Sequence, residues 1–210
     1  MNGTDDTSPR ADACIGSDSR ADRADIAYVV VPAGDIAGRV AQLADEIAAC
    51  YRGREITILA VLTGSLVFLA DLIRHLAMPL QVGVVSVSSY RAGATTPGDV
   101  HFTIPLSDDL TGRDVLVLDD LLDTGQTLGA LLGELAHHRP ASVRTCVLLR
   151  KDRPDLPDRM SADFVGFDVP NEFVVGYGLD HNSRYRNLPD ICVLSCHAAR
   201  SPTAPAEDSP

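Results

Sequence analysis

Between Leu118 and Leu128 the chain reads LDDLLDTGQTL, and three of those residue types invite chemistry at that spacing. Asp119 and Asp120 are adjacent acids that directly follow the apolar run Val115–Leu118. Asp123-Thr124-Gly125-Gln126-Thr127 then leads into Leu128, Leu131, Leu132 and Leu135, which recur at helical spacing. A helix start exposes unpaired backbone amides and the positive end of the helix dipole, which suit a phosphate. Gly125 allows close backbone approach, and the Thr124 and Thr127 hydroxyls add donors. Acids beside a phosphate repel it, so Asp119 and Asp120 need another purpose. Vicinal ribose hydroxyls are one, reached directly or through a magnesium ion. The bland alternative is an acidic strand end followed by a helix that Asp123 or Thr124 caps.

The elements that must position this segment alternate between strands and helices. Ile36, Val40, Leu43, Ala44 and Ile47 predict an amphipathic helix over 35–51. Ile56–Leu62 is a continuous apolar run, as in a buried parallel strand. Thr63-Gly64-Ser65 breaks it, and a helical period resumes over 66–76. Leu80–Tyr90 is β-branched, and 91–99 (RAGATTPGD) has the composition of a loop. Val115–Leu118 predicts a strand, 125–138 a helix and Ser142–Leu149 a strand. Strand-like runs follow at ADFVGFDV, FVVGYGL and ICVLSC. The pattern predicts an α/β fold with a mostly parallel sheet flanked by helices. Ligands in such sheets bind outside the carboxyl ends of the strands. That directs attention to Thr63–Ser65, to Asp119–Thr127 and to Lys151, which follows Arg150 at a strand end.

The 210 residues carry a formal net charge of −11, which disfavours nucleic acid or an anionic membrane as a partner. Hydrophobic residues make up 45% and aromatics 5% with no Trp, so the core must be aliphatic. The five cysteines show no paired spacing, which argues against a disulfide framework and for reduced thiols. No apolar stretch is long enough to span a bilayer or act as a secretory signal, and the cytoplasm is the expected compartment. Residues 1–25 and 197–210 read as disordered tails, leaving 26–196 as one folded unit.

The 115–128 segment resembles the phosphoribosyl-pyrophosphate motif of type I phosphoribosyltransferases. The resemblance narrows to hypoxanthine-guanine phosphoribosyltransferases over roughly 26–196. It is carried by VLTGSLVFLADLIR (61–74), VSSYRAGATTPGDV (87–100) and VGFDVPNEFVVGYGLDHNSRYRNLP (165–189).

The resemblance implies the fold above with a small hood and a mobile lid loop. It also implies transfer of a phosphoribosyl group to hypoxanthine or guanine, giving IMP or GMP, with Mg2+. Asp119 and Asp120 would contact the ribose hydroxyls and metal, and Asp119 stands where Glu is usual. Asp123 would be the general base, and Asp123, Thr124, Gly125, Gln126 and Thr127 would hold the 5′-phosphate. Thr63, Gly64 and Arg186 would meet pyrophosphate, although Thr63 stands where Lys or Arg is often found. Ser89 and Tyr90 would open the lid. Lys151 would bond the 6-oxo group, Phe173 would stack on the base, and Val174 would offer backbone to its edge. Asp180 would be linked to a second magnesium. A homodimer or homotetramer is implied. A xanthine-preferring transferase is the alternative enzyme. A non-catalytic donor sensor is disfavoured, because the chain has no DNA-binding module or basic face and keeps Asp123, Lys151 and Asp180.

Overall fold

The computed structural model describes residues 25–89, 100–102, 110–156 and 160–195, with backbone alone at 87–89 and 100–102. The expected tails (Asp25 excepted), Tyr90 and the expected loop 91–99 lie outside the described residues.

In chain order the elements are β1 (Ile26–Val31), α1 (Ala33–Cys50), β2 (Ile56–Leu62), α2 (Leu66–His75), β3 (Leu80–Ser89), β4 (Val100–Phe102), β5 (Asp114–Leu122), α3 (Gln126–His137), β6 (Ser142–Lys151), β7 (Phe164–Val169), β8 (Val174–Val175) and β9 (Ile191–Leu194). The main sheet has the order β4-β3-β2-β5-β6-β7. Its five strands from β3 to β7 are parallel, and β4 is an antiparallel edge. A second, antiparallel sheet has the order β1-β9-β8 and forms the small hood.

The two-residue period of a strand sorts the core into two layers. Ile58, Ala60, Leu116, Leu118 and Cys146 face one side and pack with the apolar stripes of α1 and α2. Leu59, Val61, Val115, Val117 and Val147 face the other and pack with Leu128, Leu131 and Leu135 of α3. β5 therefore sits in the middle of the sheet with both faces covered. Its run from Val115 to Leu118 is fully buried, which is why those positions show no alternation in sequence.

Three expectations change in detail. β5 does not end at Leu118 but runs through both acids to Leu122, because β6 continues to pair with it as far as Leu122↔Arg150. FVVGYGL shrinks to a two-residue strand, since Gly176 and Gly178 take left-handed φ values of 98° and 101°. Neither Asp123 nor Thr124 occupies the cap of α3: Gly125 does, at φ 80°. The strand over Ile26–Val31 and the short β4 are additions to the pattern read from sequence.

Leu116 is fully buried in the central strand. Leu116→Ala should cost about 2–5 kcal/mol of stability, read from the midpoint of urea unfolding at constant slope.

Candidate active site

The chain turns outward from β2 to β3 and β4, then returns to β5 on the other side of β2. That reversal opens a crevice at the carboxyl ends of β2 and β5. The ladder between these two strands stops at Ala60↔Leu118, one residue before the acids, while β5 stays paired with β6. Asp119 and Asp120 are thus held on one side by backbone pairing and face the gap on the other.

A cavity of about 330 Å³ occupies that gap, within the range of small-molecule sites, about 300–1,000 Å³. Its lining brings together Gly64 from the β2–α2 turn, Asp119 and Asp120 of β5, Thr127 of α3 and Lys151 at the end of β6. Phe173, Val174 and Asp180 close it from the hood side. Thr63, Asp123, Thr124, Gly125, Gln126 and Arg186 are not part of this wall. Thr63 is exposed and follows a cis Leu62–Thr63 peptide bond. Ser89 ends β3, where only the backbone is described.

Asp119 is buried, and its Oδ1 accepts a hydrogen bond from the Asp120 backbone N–H at 2.9 Å. Burial pushes the Asp119 carboxyl well above the usual carboxylate range, and the charge of Asp120 adds to the shift. Burial raises Asp120 as well, against the pull of the Arg186 cation and local hydrogen bonds. Gly64 is the reason the second acid fits. A Cβ at residue 64 would stand 1.6 Å from Asp120 Oδ2. On the other side of the same turn, a Cβ on Gly178 would stand 2.3 Å from the Gly64 carbonyl oxygen.

Arg186 bridges two hood groups, donating to the Gly178 carbonyl at 2.7 Å and pairing with Asp180 at 2.8 Å. Phe173 is 45% exposed, which is unlike a core Phe and fits a side chain that serves the cavity. The His181 ring packs edge-on to it, with centroids 4.9 Å apart at 79°. Tyr28 fastens the preceding residue through a 2.5 Å hydrogen bond to Glu172.

At the end of β6 the strand alternation separates two adjacent cations. Arg150 forks onto Asp168 at 2.6 and 2.9 Å, away from the site. Lys151 lines the cavity, and its Nζ donates to Asp123 Oδ2 at 3.2 Å. The other oxygen of Asp123 accepts from Arg153. Sequence reasoning missed Arg153 and His181. Arg153 lies in DRPD, where flanking acids make it read as a solvated charge.

An acid pair at the switch point of a parallel sheet, beside the amino end of a helix, is an arrangement suited to an α/β protein that binds a sugar phosphate. A model of the phosphoribosyl transferase domain matches residues 32–182. A hypoxanthine-guanine phosphoribosyltransferase of Mycobacterium avium is 41% identical over 180 residues, covering 81% of this chain and 86% of that protein. A hypoxanthine phosphoribosyltransferase of Salmonella typhimurium is 40% identical, covering 78% and 92%. The crystal structure of a hypoxanthine phosphoribosyltransferase from Staphylococcus aureus superposes with a TM-score of 0.78 at 32% identity, over 85% of this chain and 96% of that one. The chain belongs to the phosphoribosyltransferase family, in its hypoxanthine-guanine branch.

The raised acids give a stability prediction with a definite sign. A carboxyl whose pKa is higher in the folded state binds its proton more tightly there. Its contribution favours folding at acid pH and is lost as pH rises through the folded value. Asp119→Asn removes that charge and keeps an Oδ1 acceptor. The ligand-free variant should melt above the native protein at neutral pH, and the gap should close at acid pH, as followed by thermal denaturation.

Proposed function

We propose that the protein transfers the 5-phosphoribosyl group of phosphoribosyl pyrophosphate to a ring nitrogen of hypoxanthine or guanine, giving IMP or GMP and pyrophosphate. The observation that carries this reading is the single cavity in which Asp119, Asp120 and Thr127 face Lys151 and Phe173. One set of residues suits a ribose phosphate and the other a polar aromatic base.

On this reading Asp119 and Asp120 hold the ribose hydroxyls. Backbone amides and hydroxyls over Asp123, Thr124, Gly125, Gln126 and Thr127 hold the 5′-phosphate at the start of α3. Gly125 caps α3 with a left-handed backbone and has no side chain to accept from the first amides of the helix. Thr63, Gly64 and Arg186 lie on the pyrophosphate side, where Thr63 leaves the work to backbone and to Arg186. Phe173 stacks on the base, and the Val174 backbone meets its edge. Lys151 donates to the 6-oxo group, which favours oxopurines over the amino group of adenine. Ser89 and Tyr90 begin a lid that excludes water from the reacting carbon. The folded unit is 26–196, and a homodimer or homotetramer is the proposed assembly.

The donor set fits a hard divalent cation. Two adjacent carboxylates that line one cavity suit Mg2+, which usually takes one or two carboxylates and completes its shell with substrate phosphates. Among the described residues no group of three or more acids, His or Cys could hold a metal, so the donor would bring the ion with it. Asp119 and Asp120 would hold one magnesium and Asp180 the second, the latter loosening its pair with Arg186. When bound, the metal neutralises the leaving pyrophosphate. The bond from the anomeric carbon to pyrophosphate breaks as the bond to the ring nitrogen forms. The proton on that nitrogen passes to the Asp123 carboxylate.

The purified chain, with magnesium and phosphoribosyl pyrophosphate, should convert hypoxanthine and guanine to nucleotides. Adenine as the best base would overturn the reading, and xanthine as the best would move it to the xanthine-preferring branch. Asp123→Asn should slow turnover by roughly a hundredfold or more while donor binding persists. Lys151→Ala should raise KM for the base by about tenfold or more and spare KM for the donor. An equal loss for both ligands would make Lys151 structural.

A further inference from the structure

The geometry points to Arg153 as the residue that positions Asp123, gripping one carboxylate oxygen from outside the cavity so that the other stays turned toward the base. This inference rests on the proposed role of Asp123 as the proton acceptor. The two oxygens of Asp123 are divided between two cations. Oδ2 meets Lys151, which lines the cavity, while Oδ1 meets Arg153, which does not. A base that enters and takes the Lys151 ammonium for its 6-oxo group removes the first restraint. The second remains.

Arg153 is built to hold still. Its Nε and Nη2 fork onto Asp155 Oδ1 and Oδ2, both at 2.9 Å, which leaves Nη1 aimed at Asp123. The guanidinium side chain is only 17% exposed, and the backbone beneath it is fixed by a turn, with Leu156 N–H donating to the Arg153 carbonyl at 3.1 Å. A planar, bidentate cation carries directional information that a lysine would not. The pair spans 30 residues of sequence, joining the chain after β6 to the β5–α3 connection. A residue needed only to order its own turn would require Asp155 and not Asp123. A proton acceptor, by contrast, gains from a fixed rotamer, because small misplacements of the reacting atoms cost rate steeply.

The test uses the full chain with magnesium, phosphoribosyl pyrophosphate and hypoxanthine, comparing Arg153→Gln, Arg153→Met and Arg153→Lys with the native protein. Single-turnover nucleotide formation isolates the bond-making step. In the Gln and Met variants that rate should fall by roughly tenfold or more, with donor KM within twofold of native, and Lys should restore part of it. Met keeps the aliphatic stem, so folding is tested by two neutral side chains of different polarity. An unchanged single-turnover rate overturns the inference. So does a faster rate, which would mean that the Arg153 contact holds Asp123 back from the base, or a loss confined to melting temperature and KM. A native protein inactive with every purine would instead refute the proposed function, which a normal native rate beside silent Arg153 variants would leave standing.

Discussion

Two adjacent carboxylates at the end of the central strand set the terms for the rest of the molecule. Asp119 is buried, Asp120 lies beside it, and removal from water raises the proton affinity of both. Buried like charges disfavour folding near neutral pH unless something offsets them. The apolar core supplies the margin. β5 is flanked by β2 and β6, both of its faces are covered by helices, and Val115–Leu118 is fully buried. A fully buried run of strand leads directly to two uncomfortable residues, as expected where a site is paid for by the scaffold.

Holding the acids is also a matter of backbone proximity. Gly64 lets the turn after β2 pass against the Asp120 carboxylate, and Gly178 lets the hood pass against the Gly64 carbonyl. Three segments far apart in sequence thereby stack without side chains between them. Arg186 completes the arrangement from the hood, through Gly178 and Asp180, and its charge acts on Asp120. A side chain at either glycine would reach the acid pair through this stack even though neither residue carries chemistry of its own.

Much of this was legible in the sequence because the signals are local. Ile56–Leu62 reads as a strand and is one with those bounds, and the period in Ile36–Ile47 marks the buried stripe of α1. The β5–α3 segment announces itself by charge next to an apolar run, and Lys151 and Phe173 follow from resemblance. What failed depends on partners. β5 extends past Leu118 because β6 is there to pair with it, which Asp119 and Asp120 cannot signal. Gly125 takes the cap of α3 through a left-handed backbone, whereas capping preferences favour Asp123 or Thr124. FVVGYGL has strand composition, yet its glycines turn the chain after two residues. Arg153 is invisible for the same reason: in DRPD its nearest charges are neighbours in sequence, and the one that matters lies 30 residues away.

On the proposed reading the site divides its labour between the main sheet and the hood. Phosphate and ribose would fall to β5, which is locked into the main sheet, and to the start of α3. The base would fall to the end of β6 and to the hood, where Phe173 and Val174 hang from the small antiparallel sheet through Leu194 N–H to the Phe173 carbonyl and Tyr28 to Glu172. A change in hood packing would reach the base pocket through Phe173 and Val174, and the proposed pyrophosphate side through Gly178 and Arg186. Asp123 is the point where the two halves meet. It follows β5 and lies outside the cavity wall, yet both cations on its carboxylate come from the chain at and beyond the end of β6. The orientation of the proposed proton acceptor therefore follows the stretch of chain that carries Lys151 and Arg153. That coupling ties the proposed proton acceptor, which follows β5, to the proposed base donor at the end of β6.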